Sequence, residues 1–214
     1  EIVGNKIYLS AKTSYENQWQ SNSRFAGPYD FTGEVPNIFS AAVNNKNQIV
    51  VAVLSGTDKM SVFTSSDFGK NFSEIVLQQE ANSLVAPRVF RTSEDKFMIF
   101  ATQGENESFK LMTSTSVDGI TWESFEDFMP SYSMQNAFIP TLIALEDRDL
   151  VVFQASFIYE TRLSYQLYGT TKYNSSPYWS EPTLITDSVV SSNPFTSYHN
   201  QRPSLLEFDN KIYM

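Results

Sequence analysis

Two segments of the chain share one unit, a strand that ends in a polar turn and is followed by an aromatic residue. Lys110–Trp122 reads KLMTSTSVDGITW, and Met60–Phe72 reads MSVFTSSDFGKNF. Threonine, serine and alternating apolar residues are typical of a half-buried strand. An aspartate with a glycine close behind it favours a tight turn, because the carboxylate bonds nearby backbone and glycine tolerates a positive φ. Two copies of this unit in one chain indicate a repeat protein built from strands.

A second landmark recurs with a similar period. Four segments contain a proline, an apolar strand, a polar turn and a second apolar strand. The prolines of these segments are Pro36, Pro87, Pro140 and Pro203. We expect each proline to be the first residue of its strand, where the ladder does not need the missing N–H group. Together with the strands on either side of the Asp-Gly turn, each unit has four antiparallel strands in about fifty residues, the size of a β-propeller blade.

The repeat predicts one propeller segment with incomplete units at both ends. The predicted half-blades and blades are 1–30, 31–82, 83–135, 136–195 and 196–214. Either the segment belongs to a longer propeller, or the two half-blades pair and close a four-bladed ring. We favour the longer propeller, because the predicted strand at Met214 ends without a turn or a cap.

Composition agrees with an all-β chain and excludes several kinds of function. Aromatic residues make up 14% of the sequence and charged residues 18%, and the net charge is −9 without a block of like charges. This argues against nucleic acid and anionic membrane as the main partner. No apolar run approaches the roughly 20 residues of a membrane span. With no cysteine and one histidine, His199, a multi-histidine or cysteine-ligated metal site is impossible, and we expect no metal and no cofactor.

The two turns resemble a known motif. The first has the order Ser-x-Asp-x-Gly-x-x-aromatic and the second is one residue shorter. Their residues are Ser65, Asp67, Gly69 and Phe72, and Ser116, Asp118, Gly119 and Trp122. This pattern resembles the Asp-box, or BNR repeat, of the sialidase (neuraminidase) superfamily. In that family the box lies between the third and fourth strands of a blade and is structural rather than catalytic.

The resemblance implies a sialidase-like β-propeller of four-stranded antiparallel blades, with six blades as the usual number. It also implies a protein that is secreted or displayed at the cell surface and that meets a glycan or a glycoprotein. The oligomeric state stays open. Because one fold can host many functions, the chemistry has to be argued from site residues.

A sialidase-type site needs an arginine cluster that pairs with the substrate carboxylate, an acid/base aspartate, and a tyrosine activated by a glutamate. In the family, the first arginine stands two residues before a proline at the start of an inner strand, the first strand of a blade. The corresponding residues here are Glu34, Val85, Phe138 and Gln201. Arg202 directly precedes Pro203 and Arg88 directly follows Pro87, and a shift of one residue reverses the face of a strand. The catalytic residues therefore stay unassigned.

The polar residues near inner-strand starts remain candidates for ligand binding. The candidates are Glu34, Arg88, His199, Gln201 and Arg202, together with Glu160 and Arg162 in a turn between a second and a third strand. Each also has a simpler interpretation as a solvated, ion-paired or turn residue.

Three functions fit these observations. The first is an extracellular glycan-acting protein, specifically an exo-sialidase-like glycoside hydrolase that retains configuration. The second is a five-bladed glycosidase with carboxylates at inner-strand starts, for which Glu34 is the one suitable residue that we identify. The third is a non-catalytic Asp-box propeller that binds carbohydrate or protein in adhesion.

Overall fold

The computed structural model describes most of the chain. The described residues are 2–3, 6–10, 24–30, 39–55, 59–69, 71–77, 84–105, 108–129, 137–159, 162–186, 203–209 and 211–214. All regular structure in these ranges is β-strand, and every strand pair is antiparallel. Nowhere in these ranges is there a helix with the length and apolar character of a membrane span.

The strands form five sheets, in which consecutive strands lie side by side. The first sheet contains β1 (Ile2–Val3), β2 (Lys6–Ser10) and β3 (Arg24–Asp30). The second sheet contains β4 (Phe39–Val43), β5 (Ile49–Ser55), β6 (Lys59–Ser65) and β7 (Ser73–Leu77).

The third and fourth sheets repeat the four-stranded arrangement of the second. The third sheet contains β8 (Leu84–Arg91), β9 (Phe97–Glu105), β10 (Ser108–Ser116) and β11 (Glu126–Asp127). The fourth sheet contains β12 (Phe138–Ala144), β13 (Arg148–Tyr159), β14 (Arg162–Tyr173) and β15 (Thr183–Leu184). The fifth sheet pairs β16 (Leu206–Phe208) with β17 (Lys211–Tyr213). The prediction of an all-β chain of four-stranded antiparallel sheets is confirmed.

The second strand of the third sheet, β9, is apolar on both faces, because each face packs against a neighbouring sheet. In β9, Phe97 and Ile99 join a cluster with the second sheet, whereas Met98 and Phe100 join a cluster with the fourth. Alternate residues of a strand point to opposite faces, so β9 contributes to two cores at once. Burying each of these side chains contributes about 1.5–3 kcal/mol.

Aromatic edges complete the core between the third and fourth sheets. The ring of Phe128 meets Phe100 edge-on at 4.9 Å and Trp179 at 5.0 Å between centroids. Trp122 has the corresponding role one sheet earlier, where it packs against the cluster between the second and third sheets. Trp122 and Trp179 therefore help to join neighbouring sheets.

The first strands of neighbouring sheets also contact each other directly. The hydroxyl of Ser40 in β4 donates to the carbonyl of Val89 in β8 at 3.3 Å and accepts the N–H of Val89 at 3.1 Å. Since β8 in turn adjoins β12, the first strands line one side of the stack of sheets.

Pro87 and Pro140 do not open their strands, contrary to our expectation. β8 begins at Leu84 and β12 begins at Phe138, so Pro87 and Pro140 lie inside their strands. Each follows a residue with positive φ, and the pairing register shifts around it. A β-bulge has an unpaired residue, and this is why proline is tolerated there.

Pro36 lies outside the described residues, so its place in the repeat stays a prediction that can be compared with the turns of the neighbouring sheet. The turns at Asn44–Gln48 and Thr92–Lys96 have the same pair of backbone hydrogen bonds. Counting back from these turns places Phe39, and not Pro36, at the position of Pro87. Pro36 lies three residues before that position.

Two Ser-Asp turns, residues 65–72 and 116–122, connect the third and fourth strands of their sheets. In the first, Ser65 Oγ donates to Asp67 Oδ1 at 2.8 Å and accepts the Gly69 N–H at 2.9 Å. In the second, Ser116 Oγ donates to Asp118 Oδ1 at 3.1 Å and accepts the Gly119 N–H at 2.8 Å. The two turns therefore have one hydrogen-bond design, with the serine hydroxyl at its centre.

The aspartate of the second turn is held in its charged form. Asp118 Oδ1 accepts the N–H groups of Thr121 at 2.7 Å and Ile120 at 2.8 Å. These bonds lower the pKa of Asp118 below its ordinary value, and the bond from Thr121 has the largest effect. Partial burial of the carboxylate acts in the opposite direction. The carboxylate therefore stabilises the turn above its ordinary pKa, and this contribution is lost as the pH falls through the lowered one.

A second set of turns, between first and second strands, links one sheet to the next. The N–H of Asn45 in the second sheet donates to Asp95 Oδ1 in the third at 2.8 Å. In the same way, the N–H of Ser93 in the third sheet donates to Asp149 Oδ1 in the fourth at 2.6 Å. Each of these aspartates thus joins its own sheet to the preceding one.

Asp149 is only 2% exposed, and burial raises its pKa above the ordinary 3.8, against the opposing effect of the bonds from Ser93. The stability that Asp149 contributes is therefore complete below 3.8 and is lost as the pH rises through the raised pKa. We expect Asp149→Ala to lower the free energy of unfolding by about 1–3 kcal/mol at pH 4, and by less at pH 7. Urea unfolding at the two pH values measures this difference.

Asp95→Ala is the matched control, because the bond from Asn45 to Asp95 is exposed to solvent. It should cost about 0.5–1.5 kcal/mol. A loss for Asp149→Ala that increased from pH 4 to pH 7 would contradict the raised pKa.

Gly119 gives a second test of the contact between sheets. Its φ is +71°, and a Cβ there would lie 2.6 Å from Cγ2 of Val50 and 3.1 Å from Oγ1 of Thr64, both in the second sheet. Gly119→Ala should therefore cost about 2–4 kcal/mol through backbone strain and overpacking. At Gly69, with φ +82°, the closest atom is the flexible end of Ile49 at 3.3 Å, so Gly69→Ala should cost about 1 kcal/mol. Thermal and urea unfolding compare the two variants, and equal losses would argue against the close approach.

Candidate functional site

The register of the sheets defines two ends of the structure. The lower end holds the turns between first and second strands and the two Ser-Asp turns. The upper end holds the starts of β8 and β12 and the hairpins that join β9 to β10 and β13 to β14. At the lower end, the polar groups described above bond to one another within and between sheets. The upper end is therefore the better place to look for a ligand site.

Two equivalent β-bulges distinguish the upper end. Ala86 has a φ of 54° and Ile139 has a φ of 50°, and each directly precedes a proline. Positive φ is uncommon outside glycine and is a marked outlier for a β-branched residue such as isoleucine. Such conformations cost about 1–3 kcal/mol each and cluster at functional sites. The repetition of the same strain in neighbouring first strands indicates a constraint on both.

Arg88 follows the first bulge. It pairs with Phe100 and is the fifth residue of β8, so the structure corrects our expectation that it would stand at the start of the strand. The bulge is the reason, since it allows the strand to begin before the proline. Arg88 is half-buried and lies two residues before Phe90, which packs against the core shared with the fourth sheet. Its side chain therefore projects toward the face shared by the third and fourth sheets.

Among the other candidate ligand-binding residues, only Arg162 lies within the described residues. Arg162 is the first residue of β14 and pairs with Tyr159, which places its backbone at the upper end. The remaining candidates lie outside the described residues, and they are Glu34, Glu160, His199, Gln201 and Arg202. Of the predicted ligand-binding residues, the structure therefore assigns Arg88 and the backbone of Arg162 to the sheets that meet at this end.

Sequence reasoning missed two polar residues of β13. Gln154 is 1% exposed and Ser156 is 7% exposed, and neither Gln154 Oε1 nor Ser156 Oγ has a hydrogen-bond partner in the described part of the chain. Their signal in the sequence is the run Val151–Ser156, in which polar residues interrupt an apolar strand at alternate positions. This alternation of polar and apolar residues predicts a strand, and it does not distinguish a ligand-binding residue from a solvent-exposed one.

The described side chains give limited chemistry at this site. The strand segments around the two bulges, 84–88 and 139–141, contain one cationic residue, Arg88, and no carboxylate. The described residues also contain no group of three or more histidine, cysteine, aspartate or glutamate side chains that could hold a metal ion. The arrangement can therefore bind an anionic or hydroxyl-rich group, and the described residues do not by themselves supply an acid/base pair.

Comparison with known proteins gives no match at the level of sequence. No protein-family model matches the chain, and no curated protein matches it.

Solved structures match the fold. A Hadza microbial sialidase aligns over 66% of this chain and 36% of its own, with a TM-score of 0.52 and 13% identity. A Bombyx mori GH32 beta-fructofuranosidase in complex with sucrose aligns over 83% of this chain and 40% of its own, with a TM-score of 0.52 and 13% identity. The chain thus spans less than half the length of either structure. The β-propeller prediction is confirmed, and the described part of the chain has the four-stranded antiparallel blades of a β-propeller fold.

Proposed function

We propose that this protein is a glycan-acting hydrolase whose site lies at the upper end, around the first strands β8 and β12. Blades of a propeller surround a central channel, and the first strands here line one side of the stack. Ligand sites of small molecules are commonly found at such converging strand ends. The fold is shared with a sialidase and a fructofuranosidase, which supports a glycoside hydrolase but does not select the sugar.

The observation that carries this proposal is the pair of strained bulges at Ala86 and Ile139. Bulges next to active sites re-aim a side chain, and the first of these bulges directly precedes the Pro87–Arg88 pair. Strain of this kind persists only where the surrounding structure enforces it. We infer that both bulges shape the backbone that faces the substrate.

The side chain of Arg88 favours one particular type of glycoside hydrolase. A guanidinium group pairs with a carboxylate through two parallel hydrogen bonds. This favours an exo-sialidase-like hydrolase, in which Arg88 would hold the substrate carboxylate. Retaining hydrolysis would also need an acid/base aspartate and a nucleophile, and both roles stay unassigned.

Three further proposals follow from the family resemblance. We identify the two Ser-Asp turns as Asp-boxes, which their shared hydrogen-bond design and their position between third and fourth strands support. Six blades, the usual number in that superfamily, remain our prediction for the complete ring. Secretion or display at the cell surface is the location in which such a protein would meet a glycan or a glycoprotein, and we propose it for that reason alone.

A second candidate function is carbohydrate binding without hydrolysis. The observation that favours it is the lack of any carboxylate in the described strand segments around the two bulges. A propeller of this kind would keep its Asp-boxes and its polar end but would have no turnover, as in an adhesion protein.

Hydrolysis of a fluorogenic sialoside and hydrolysis of sucrose, measured as released fluorophore and released reducing sugar, test the first proposal, and a glycan array tests the second. If the protein is sialidase-like, it turns over the sialoside, and Arg88→Ala lowers kcat/KM by about 100-fold through loss of a charged, bidentate contact. Arg88→Lys keeps the charge but not the fork geometry and should recover only part of the rate.

Arg148→Ala is the control for this experiment. Arg148 lies at the lower end, where it donates to the hydroxyl of Tyr173 at 3.0 Å, so its removal should leave kcat/KM unchanged. Circular dichroism and thermal unfolding establish that each variant is folded. Full activity in Arg88→Ala would remove Arg88 from the site, and silence in both the hydrolysis assay and the array would reject both carbohydrate functions.

A further inference from the structure

The strand β13 carries two buried side chains that each have an oxygen atom without a hydrogen-bond partner in the described part of the chain. Gln154 and Ser156 are at least nine-tenths buried, and Gln154 Oε1 and Ser156 Oγ accept no hydrogen bond from any residue that the structure describes. A polar atom that leaves water without finding a partner costs free energy, and most buried polar groups in native proteins are therefore paired. Two such atoms in neighbouring positions need a physical explanation.

Comparable side chains in the same structure are satisfied. Gln166 is as buried as Gln154, and its Oε1 accepts the hydroxyl of Thr186 at 2.6 Å. Ser114 is 2% exposed, and its Oγ donates to the carbonyl of Glu123 at 2.6 Å. The lack of a partner is thus a local property of Gln154 and Ser156 and does not extend to these two buried residues.

The two side chains lie on one face of the fourth sheet. Phe153 and Ala155, which alternate with them, pack into the core shared with the third sheet. Because side chains alternate across a strand, Gln154 and Ser156 project from the opposite face. Two residues of extended chain separate them, a distance of roughly 7 Å. Both can therefore contact one small group, or neighbouring groups of one ligand.

Their place in the sheet connects them with the proposed site. Gln154 pairs with Phe138, the residue that directly precedes the strained Ile139. The ladder between β12 and β13 is interrupted between Phe138 and Thr141, so Gln154 stands beside the bulge. Ser156 lies two residues nearer the hairpin between β13 and β14, at the upper end. The unpaired atoms and the strained backbone thus occupy the same part of the fourth sheet.

We propose that Gln154 and Ser156 form a subsite that binds hydroxyl groups of the glycan ligand and that these residues determine its specificity. This inference rests on the proposed function. An amide oxygen can only accept a hydrogen bond, so its partner must carry a hydrogen, as a sugar hydroxyl does and an ionised carboxylate does not. The serine hydroxyl can donate or accept and can complete the contact. The subsite therefore reads an uncharged part of the sugar, separate from the carboxylate role proposed for Arg88.

Removal of the two unpaired oxygen atoms should not destabilise the protein. If the two oxygen atoms have no partner in the free protein, their removal takes away a desolvation cost. Ser156→Ala removes only the unpaired hydroxyl and should leave Tm unchanged or raise it by about 2–4 °C. Gln154→Met also removes the amide nitrogen, which is not one of the unpaired atoms, so the gain and the loss should offset and leave Tm unchanged. Each variant should also lower kcat/KM for the hydrolysed glycoside by about tenfold, the effect of losing one hydrogen bond to the substrate.

The control variants are Gln166→Met and Ser114→Ala. Both remove a buried group that has a partner, so each should lower Tm by about 2–4 °C and leave kcat/KM unchanged. The substrates are the fluorogenic sialoside and sucrose. Saturation-transfer NMR with free sialic acid and with sucrose measures binding if the protein binds without hydrolysis.

Each outcome decides the question. Preserved or raised Tm together with weaker catalysis or binding in Gln154→Met and Ser156→Ala supports the subsite. A lowered Tm with unchanged kinetics would show that the groups are paired internally, for example by a bound water molecule, and would overturn it. Unchanged Tm with unchanged kinetics and binding would overturn it as well, and both of these results leave the glycan-acting function intact. A wild-type protein that neither hydrolyses nor binds any of these sugars would reject the subsite and the proposed function together.

Discussion

The packing of one sheet against the next is the interaction on which the rest of this structure depends. A four-stranded sheet has two apolar faces, and a single sheet cannot bury both. In β9 the alternation of Phe97 and Ile99 with Met98 and Phe100 assigns one face to the second sheet and the other to the fourth. Because the side-chain period of a strand is two, a slip of one residue would exchange the two faces and disrupt both cores. The register of each sheet is therefore fixed by its neighbours as well as by its own turns.

The two ends of the sheets differ in whether their polar groups have hydrogen-bond partners. At the lower end, Asp95 and Asp149 each accept an N–H group from the preceding sheet, and the Ser-Asp turns satisfy their own backbone. These bonds give the polar groups involved hydrogen-bond partners within the protein. At the upper end, the bulges at Ala86 and Ile139 interrupt the ladders, and the oxygen atoms Gln154 Oε1 and Ser156 Oγ are buried without a hydrogen-bond partner among the described residues. A fold whose stability comes from its interfaces and its lower end can tolerate strain and unpaired groups at the other end.

Much of this architecture could be predicted from the sequence, because its signals are local and repeated. The strand before each Asp-Gly turn, the aromatic residue after it and the polar turns between apolar runs gave the four-stranded unit. The bulges could not be predicted in this way. Pro87 and Pro140 were interpreted as strand starts, since proline is usual there, whereas a β-bulge depends on pairing with the second strand. The same limit applies to Arg88, whose position within its strand depends on register rather than on spacing.

The candidate site was harder to predict than the fold, for a physical reason. Turns and cores follow rules that act over a few residues, but a ligand site combines side chains from separate strands whose relation appears only after folding. Gln154 illustrates this, since in sequence it is one polar residue in an apolar strand and in the structure it is an acceptor without a donor beside a strained backbone. Its cost to stability is the informative property, because a group retained at a cost to the folded state indicates selection for something other than folding. The unpaired oxygen of Gln154 therefore points to a ligand site at the upper end of the fourth sheet, whichever sugar binds there.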